Sequence, residues 1–114
     1  MTPTNDLRGR LRKLLNEVIP PGGTESDTNF FDVDLDELLI EAVSIYGAAA
    51  AGWTMKAGML QEQIERYSAG QEQYNITTLK DKISHALAMA DRYAKMSSTS
   101  VGSLILKAVP PEVL

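Results

Sequence analysis

The sequence predicts an all-α protein, a small bundle of three to four helices, on three observations. Apolar residues recur in steps of three and four along three separate stretches, the periodicity of helices with one buried face. Strong breakers part these stretches: Pro20-Pro21-Gly22-Gly23 after the first and Ala69-Gly70 after the second. A chain of 114 residues with 44% apolar side chains also suits one domain with one core, and it is too rich in Leu and aromatics for wholesale disorder.

The first helix is expected over about residues 5–17, where Leu7, Leu11, Leu14, Leu15 and Val18 share a face and Thr4 or Asn5 can cap the start. Two prolines and two glycines then stop it. Residues 24–31 are polar with two aromatics and read as a loop. Asp32 or Asp34 can cap the next helix, with Asp36 and Glu37 placed to favour its dipole. From there Leu35, Leu38, Leu39, Ala42, Tyr46, Ala49, Ala50, Trp53, Ala57, Leu60, Ile64 and Tyr67 keep helical steps. One straight helix of that extent would run about 50 Å, which a globule of this size is hard put to bury. A break is therefore expected between Ser44 and Gly52, where Gly47 and Gly52 each weaken a helix by about 1 kcal/mol relative to Ala.

Residues 71–77, with Gln73-Tyr74-Asn75-Ile76 among them, read as a short extended segment or loop. Thr77 or Thr78 then caps a last helix over about 79–96, with Leu79, Ile83, Ala86, Leu87, Ala90 and Tyr93 on its buried face and an Asp91–Lys95 pair outside. Ser97-Ser98-Thr99-Ser100 has the composition of a linker. The chain thus divides into a helical domain over 1–96 and a flexible C-terminal arm over 97–114.

Charge and missing chemistry narrow the function. A net charge of −4 opposes a protein that wraps nucleic acid by neutralising phosphates. The charge is segregated: residues 1–13 carry +3, residues 14–55 carry −8 without one Lys or Arg, and the rest carry +1. With no Cys, disulfides, cysteine metal sites and thiol chemistry are excluded. The lone His85, beside Ala86 and Leu87, reads as a packing or surface residue. Asp32-Val33-Asp34-Leu35-Asp36 opens like a calcium loop, but Glu37 stands where Gly is needed and Val43 where Glu is needed. There is no phosphate loop, dinucleotide fingerprint or nucleophile elbow, so no enzyme, metal or cofactor is expected. Arg8, Arg10, Arg12 and Lys13 interrupt any secretory h-region. The uncharged stretch 42–55 falls short of the roughly 20 residues of a membrane span. A soluble protein that stays where it is made is expected.

Four features could carry binding. Gly47, Ala48, Ala51 and Gly52 give a helix surface on which another backbone can approach closely, either within the chain or between subunits. The acidic block, with Asp34, Asp36, Glu37 and Glu41, is either a solvated helix start or a negative surface facing a basic partner or a DNA lumen, past which a duplex slides without sticking. Arg8 and Arg12 lie on the solvated side of an amphipathic helix or meet the acidic block of a neighbouring subunit. Val101, Leu104, Ile105, Leu106 and Val109 form an apolar arm that folds back or docks elsewhere.

At Ala49-Ala50-Ala51-Gly52-Trp53-Thr54-Met55-Lys56-Ala57, followed by Leu60 and Ile64, the chain resembles the head–tail connector (adaptor, or head-completion) proteins of long-tailed bacteriophages, most of all those of Gram-positive hosts. The acidic Asp34-Leu35-Asp36-Glu37-Leu38-Leu39 before it, and Tyr67, Gly70 and Leu87-Ala88-Met89-Ala90-Asp91-Arg92-Tyr93 after it, extend the likeness over roughly residues 34–96. Order and spacing carry it, since each motif alone is mostly helix packing. The resemblance implies a helical subunit of a ring of about twelve copies. That ring sits under the portal protein, extends the DNA channel without sequence-specific DNA binding, and receives stopper or tail-completion proteins. It further implies a location in the virion, no membrane partner, and a terminal arm, here Val101 to Val109, that engages the portal. The alternative is a small cytoplasmic helical module that binds and regulates one partner. A helix-turn-helix DNA binder ranks below both, because no basic recognition helix is present.

Overall fold

The computed structural model describes the backbone of residues 1–68 and 73–108 and the side chains of residues 1–66 and 77–98. Four α-helices follow one another: α1 (Asn5–Leu15), α2 (Asp32–Glu41), α3 (Ile45–Ser68) and α4 (Gln73–Ala108), with a 3-10 turn at Glu25–Asp27. This is the all-α bundle that the sequence predicts, with no strand among the described residues. Ser44 meets Ser97, Tyr46 stacks on Tyr93 and Trp53 meets His85, pairings that run in opposite directions along the chain. The long helices α3 and α4 are therefore an antiparallel hairpin, and α1 and α2 pack against α3. Leu11, Leu15, Phe30, Leu35 and Leu39 are fully buried in the core, together with Ala48 and Ala49 of α3 and Ala86 of α4.

Helix α1 starts where expected, with the Leu7 amide donating to Thr4 Oγ1 at 3.1 Å. It ends at Leu15, two residues early, because Asn16 turns left-handed at φ 58° and ψ 43°. The Pro-Pro-Gly-Gly run then forms a tight turn: the Gly23 amide donates to Pro20 O at 2.8 Å. Pro21 occupies the second position and Gly22, at φ +77°, the third, an arrangement that needs Gly there. At the start of α2 the cap is Phe31, and Asp34 reaches back to accept from the Phe31 amide at 2.9 Å. The far end of α2 is closed by the ammonium group of Met1, which donates to Leu39 O at 2.8 Å and Ala42 O at 3.0 Å, a cation at the negative end of the helix dipole.

Three expectations need correction. The long stripe breaks at residues 42–44, just upstream of the glycines, and Gly47 and Gly52 lie inside α3. A side chain would collide with a neighbour at Gly52 and crowd one at Gly47. A Cβ on Gly52 would lie 2.6 Å from Leu15 Cδ2, and one on Gly47 would lie 3.1 Å from Ser97 Oγ. Second, residues 73–77 are helical, not extended, while residues 71 and 72 lie outside the described residues. Nothing there is Pro or Gly, so the weak helix propensities of Asn, Ile and Thr cost only tenths of a kcal/mol each, roughly, against docking Leu79 on α3. Third, the run 97–100 continues α4, so the boundary expected at 96/97 falls within a helix. Ser97 is buried, hydrogen-bonded to Ser44 Oγ at 2.8 Å, on the same face as Leu79, Ala86 and Ala90. Leu87, at the edge of that face, is half exposed.

Candidate functional site

The most specific chemistry in the fold gathers where α1 ends. The last four carbonyls of a helix lack partners within it and must find them elsewhere. Here Arg12 O accepts from the Glu17 amide at 2.8 Å and Lys13 O from the Asn16 amide at 3.2 Å. Leu14 O accepts from Trp53 Nε1 at 3.0 Å and Leu15 O from Lys56 Nζ at 2.8 Å, both from α3. Lys56 Nζ also sits 4.3 Å from the centroid of the Trp53 ring and 3.4 Å from Glu17 Oε2. Glu17, itself buried, accepts from the Asn29 amide at 2.9 Å. Trp53 and Lys56 are three residues apart on one helix face, so a single turn of α3 closes the end of α1.

Arg12 holds the loop over this end. Its Nη1 donates to Glu17 O and Thr28 Oγ1, and its Nη2 to Phe30 O, each at 3.1 Å. Nη2 also meets Asp32 Oδ1 at 3.0 Å. The guanidinium is buried and ties α1, the loop and the start of α2 together. Arg8 pairs with Asp36 Oδ1 at 2.7 Å. The basic face of α1 thus meets the acidic block of its own chain.

These contacts relocate most of the residues expected at a subunit contact. Arg8 and Arg12 are bound within the chain, Gly47 abuts Ser97, Ala48 is fully buried, and Gly52 lies against Leu15. Ala51 alone of that set is exposed. Gly47 and Gly52 serve helix crossings inside the subunit, with Ser97 of α4 against the first and Leu15 of α1 against the second. Of the expected acidic surface, Asp34 caps α2 and Asp36 pairs with Arg8, which leaves Glu37 and Glu41 exposed. Val101, Leu104, Ile105 and Leu106 fall on the helical backbone of α4, but their side chains, and all of Val109, lie outside the described residues.

Two surfaces that the sequence reading did not single out stand free. Helix α2 is apolar on both sides. Leu35, Leu38 and Leu39 face the core, while Val33 and Ile40 are 66% and 62% exposed on the opposite face, with Glu37 between them. Val43, just beyond the helix, is 78% exposed. The second surface is a cleft of about 220 Å³ between α3 and α4. Trp53, Met59, Leu60 and Ala86 supply its apolar lining, and Asn29, Lys56, Gln63, Lys82 and His85 its polar groups. No carboxylate lines it, and the ring of His85 meets Trp53 edge to face, with centroids 5.5 Å apart. The repeat Val33, Glu37, Ile40 was visible in the sequence as a second helical stripe, hidden by the stronger one.

Among the described residues no group of three or more His, Asp or Glu side chains could hold a metal ion, and no helix is long and apolar enough to cross a membrane. No family model matches the chain, and no curated protein or solved structure matches it either.

Proposed function

We propose that the chain is a structural subunit of a virion: a ring-forming head–tail connector of about twelve copies that docks under the portal protein, extends the DNA channel and receives stopper or tail-completion proteins. The likeness over residues 34–96 supplies the family. The outward face of α2 is the observation that carries the reading furthest. Two branched aliphatic side chains more than half exposed on one short helix, with Val43 beside them, make an apolar surface of the kind that marks a contact with another protein. Glu41 beside that face supplies negative charge of the kind a DNA channel uses to keep a duplex from sticking. Residues 101–109 are the segment proposed to reach the portal.

Quantitative mass spectrometry of purified tailed particles, comparing copies of this chain with copies of portal, tests the proposal. A ratio near one to one supports it. Absence from particles, with the chain present in the infected-cell lysate, overturns it in favour of the cytoplasmic module that regulates one partner. A Val33→Ser/Ile40→Ser variant tests the surface. Both positions are exposed, so its unfolding free energy is expected to stay within about 0.5 kcal/mol of the parent, while its incorporation into particles falls. Full incorporation would remove α2 from the interface.

A further inference from the structure

We infer that the outward face of α2 in one copy docks into the α3–α4 cleft of a second copy of this chain. The inference rests on the ring reading and names the two surfaces that would build the ring. Each lacks what the other has. The α2 face presents two aliphatic side chains, Val33 and Ile40, around the carboxylate of Glu37, with no Lys or Arg anywhere between residues 14 and 55. The cleft presents an apolar lining of Trp53, Met59 and Leu60 under exposed Lys82 and His85, with no carboxylate among its lining residues. An aliphatic side chain of α2 entering it would pack on half-buried Met59 and Leu60 and bring Glu37 toward Lys82, so apolar burial and opposite charge act at one contact.

Within one copy the two surfaces remain apart, since Val33 and Ile40 stay exposed while the cleft stays open. The contact is thus between copies and heterologous: face of one to cleft of the next. Such a contact leaves a free face and a free cleft at each end, so it repeats until it closes into a ring or extends as a filament. A two-fold dimer through α2 alone would bury the aliphatic residues but set Glu37 near its own copy, at an electrostatic cost.

The full chain tests this in solution by NMR, since even a contact of millimolar Kd is populated at about 1 mM protein. The chain has one His, so the ring protons of exposed His85 report on the cleft without ambiguity, and the Ile40 methyl reports on the α2 face. Both resonances are expected to shift together with concentration. Glu37→Lys and Lys82→Glu, each at an exposed position, should weaken the association by about tenfold or more through like charges. An equimolar mixture of the two variants should restore it as an alternating one-to-one assembly, because both mixed contacts then bring opposite charges together. Absence of any concentration dependence at about 1 mM overturns the docking. So do a shift at Ile40 without one at His85 and an association indifferent to both charge reversals. The outcome is separable from that of the connector reading. A chain counted at portal stoichiometry in particles but failing these tests is a connector assembled through other surfaces. A chain that passes them but is absent from particles self-assembles for another purpose.

Discussion

The two halves of α3 are held to the molecule by different chemistry. From Ile45 to Ala57 the helix meets α1 and α4 at once. Gly52 lets Leu15 in, and Trp53 and Lys56 donate to the end of α1. Arg12 and Glu17 fix the loop that passes over the same end. From Gly58 onward Met59, Leu60 and Gln63 instead line the cleft shared with α4. A Cβ on Gly58 would meet nothing within 4 Å, and Ile64 and Leu79 are the buried aliphatic residues described there. The first half needs particular atoms at particular distances, whereas the second needs only apolar side chains at helical spacing. Mutations should therefore be costly and residue-specific in the first half, and mild in the second.

The strongest way to break this contrast is Arg12→Met. It keeps most of the buried volume but removes the donor to Glu17 O and one of the partners of Phe30 O and of the Thr28 hydroxyl, which still bond to each other, at a cost of about 2 kcal/mol. Little of that comes from the pairing with Asp32, whose side chain is half exposed and screened by water. Urea unfolding followed by circular dichroism reads the loss, and a change below about 1 kcal/mol would mean that water replaces the guanidinium freely.

A sharper comparison uses two glycines six residues apart in α3. Gly58→Ala should stabilise the fold by about 0.5–1 kcal/mol, since Ala is the better helix former and the space is open. Gly52→Ala should do the opposite, with a net loss of about 1 kcal/mol. The methyl would press on a fully buried Leu15, and overpacking of that kind outweighs the gain in helix propensity. Thermal melts of the two variants side by side should move in opposite directions. Equal shifts would show that α1 backs away from α3 at little cost.

The smallest effect is expected at the edge of the first half. The Arg8–Asp36 pair is partly solvated on both sides, so Arg8→Ala should cost less than about 1 kcal/mol, and less still in high salt. The same urea titrations at low and high salt check it, and a larger loss would mean that Arg8 positions α2.

Much of the fold was legible in the sequence because periodicity alone encodes it. The apolar steps located all the helices and most of their buried faces, Thr4 marked the start of α1, and Asp91 and Lys95 pair at 3.0 Å. The errors share one cause. Gly47 and Gly52 read as weak points of a helix, although they are contact points, and the serines after Met96 read as a linker, although Ser97 is a buried helix residue. Local propensity differs by tenths of a kcal/mol to about 1 kcal/mol per residue, and tertiary packing readily exceeds that. The candidate site was less legible. Arg8, Arg12 and Asp36 were noticed for their charge, but the partners that tie them across the fold lie from 16 to 28 residues away, at separations that no local pattern reports.

By itself, then, the sequence determined the helical class, the order of the helices and the side of each that goes inward, because helix geometry converts spacing directly into a face. Only the tertiary structure decided which polar groups were used up inside the fold. It committed Arg12, Glu17, Trp53 and Lys56 to the end of α1, spent Arg8 on Asp36, and left Val33, Glu37 and Ile40 facing outward. The reason is physical: buried donors and carbonyls must be paired, and which group reaches them depends on where the helices cross, a distance in space that sequence separation does not measure.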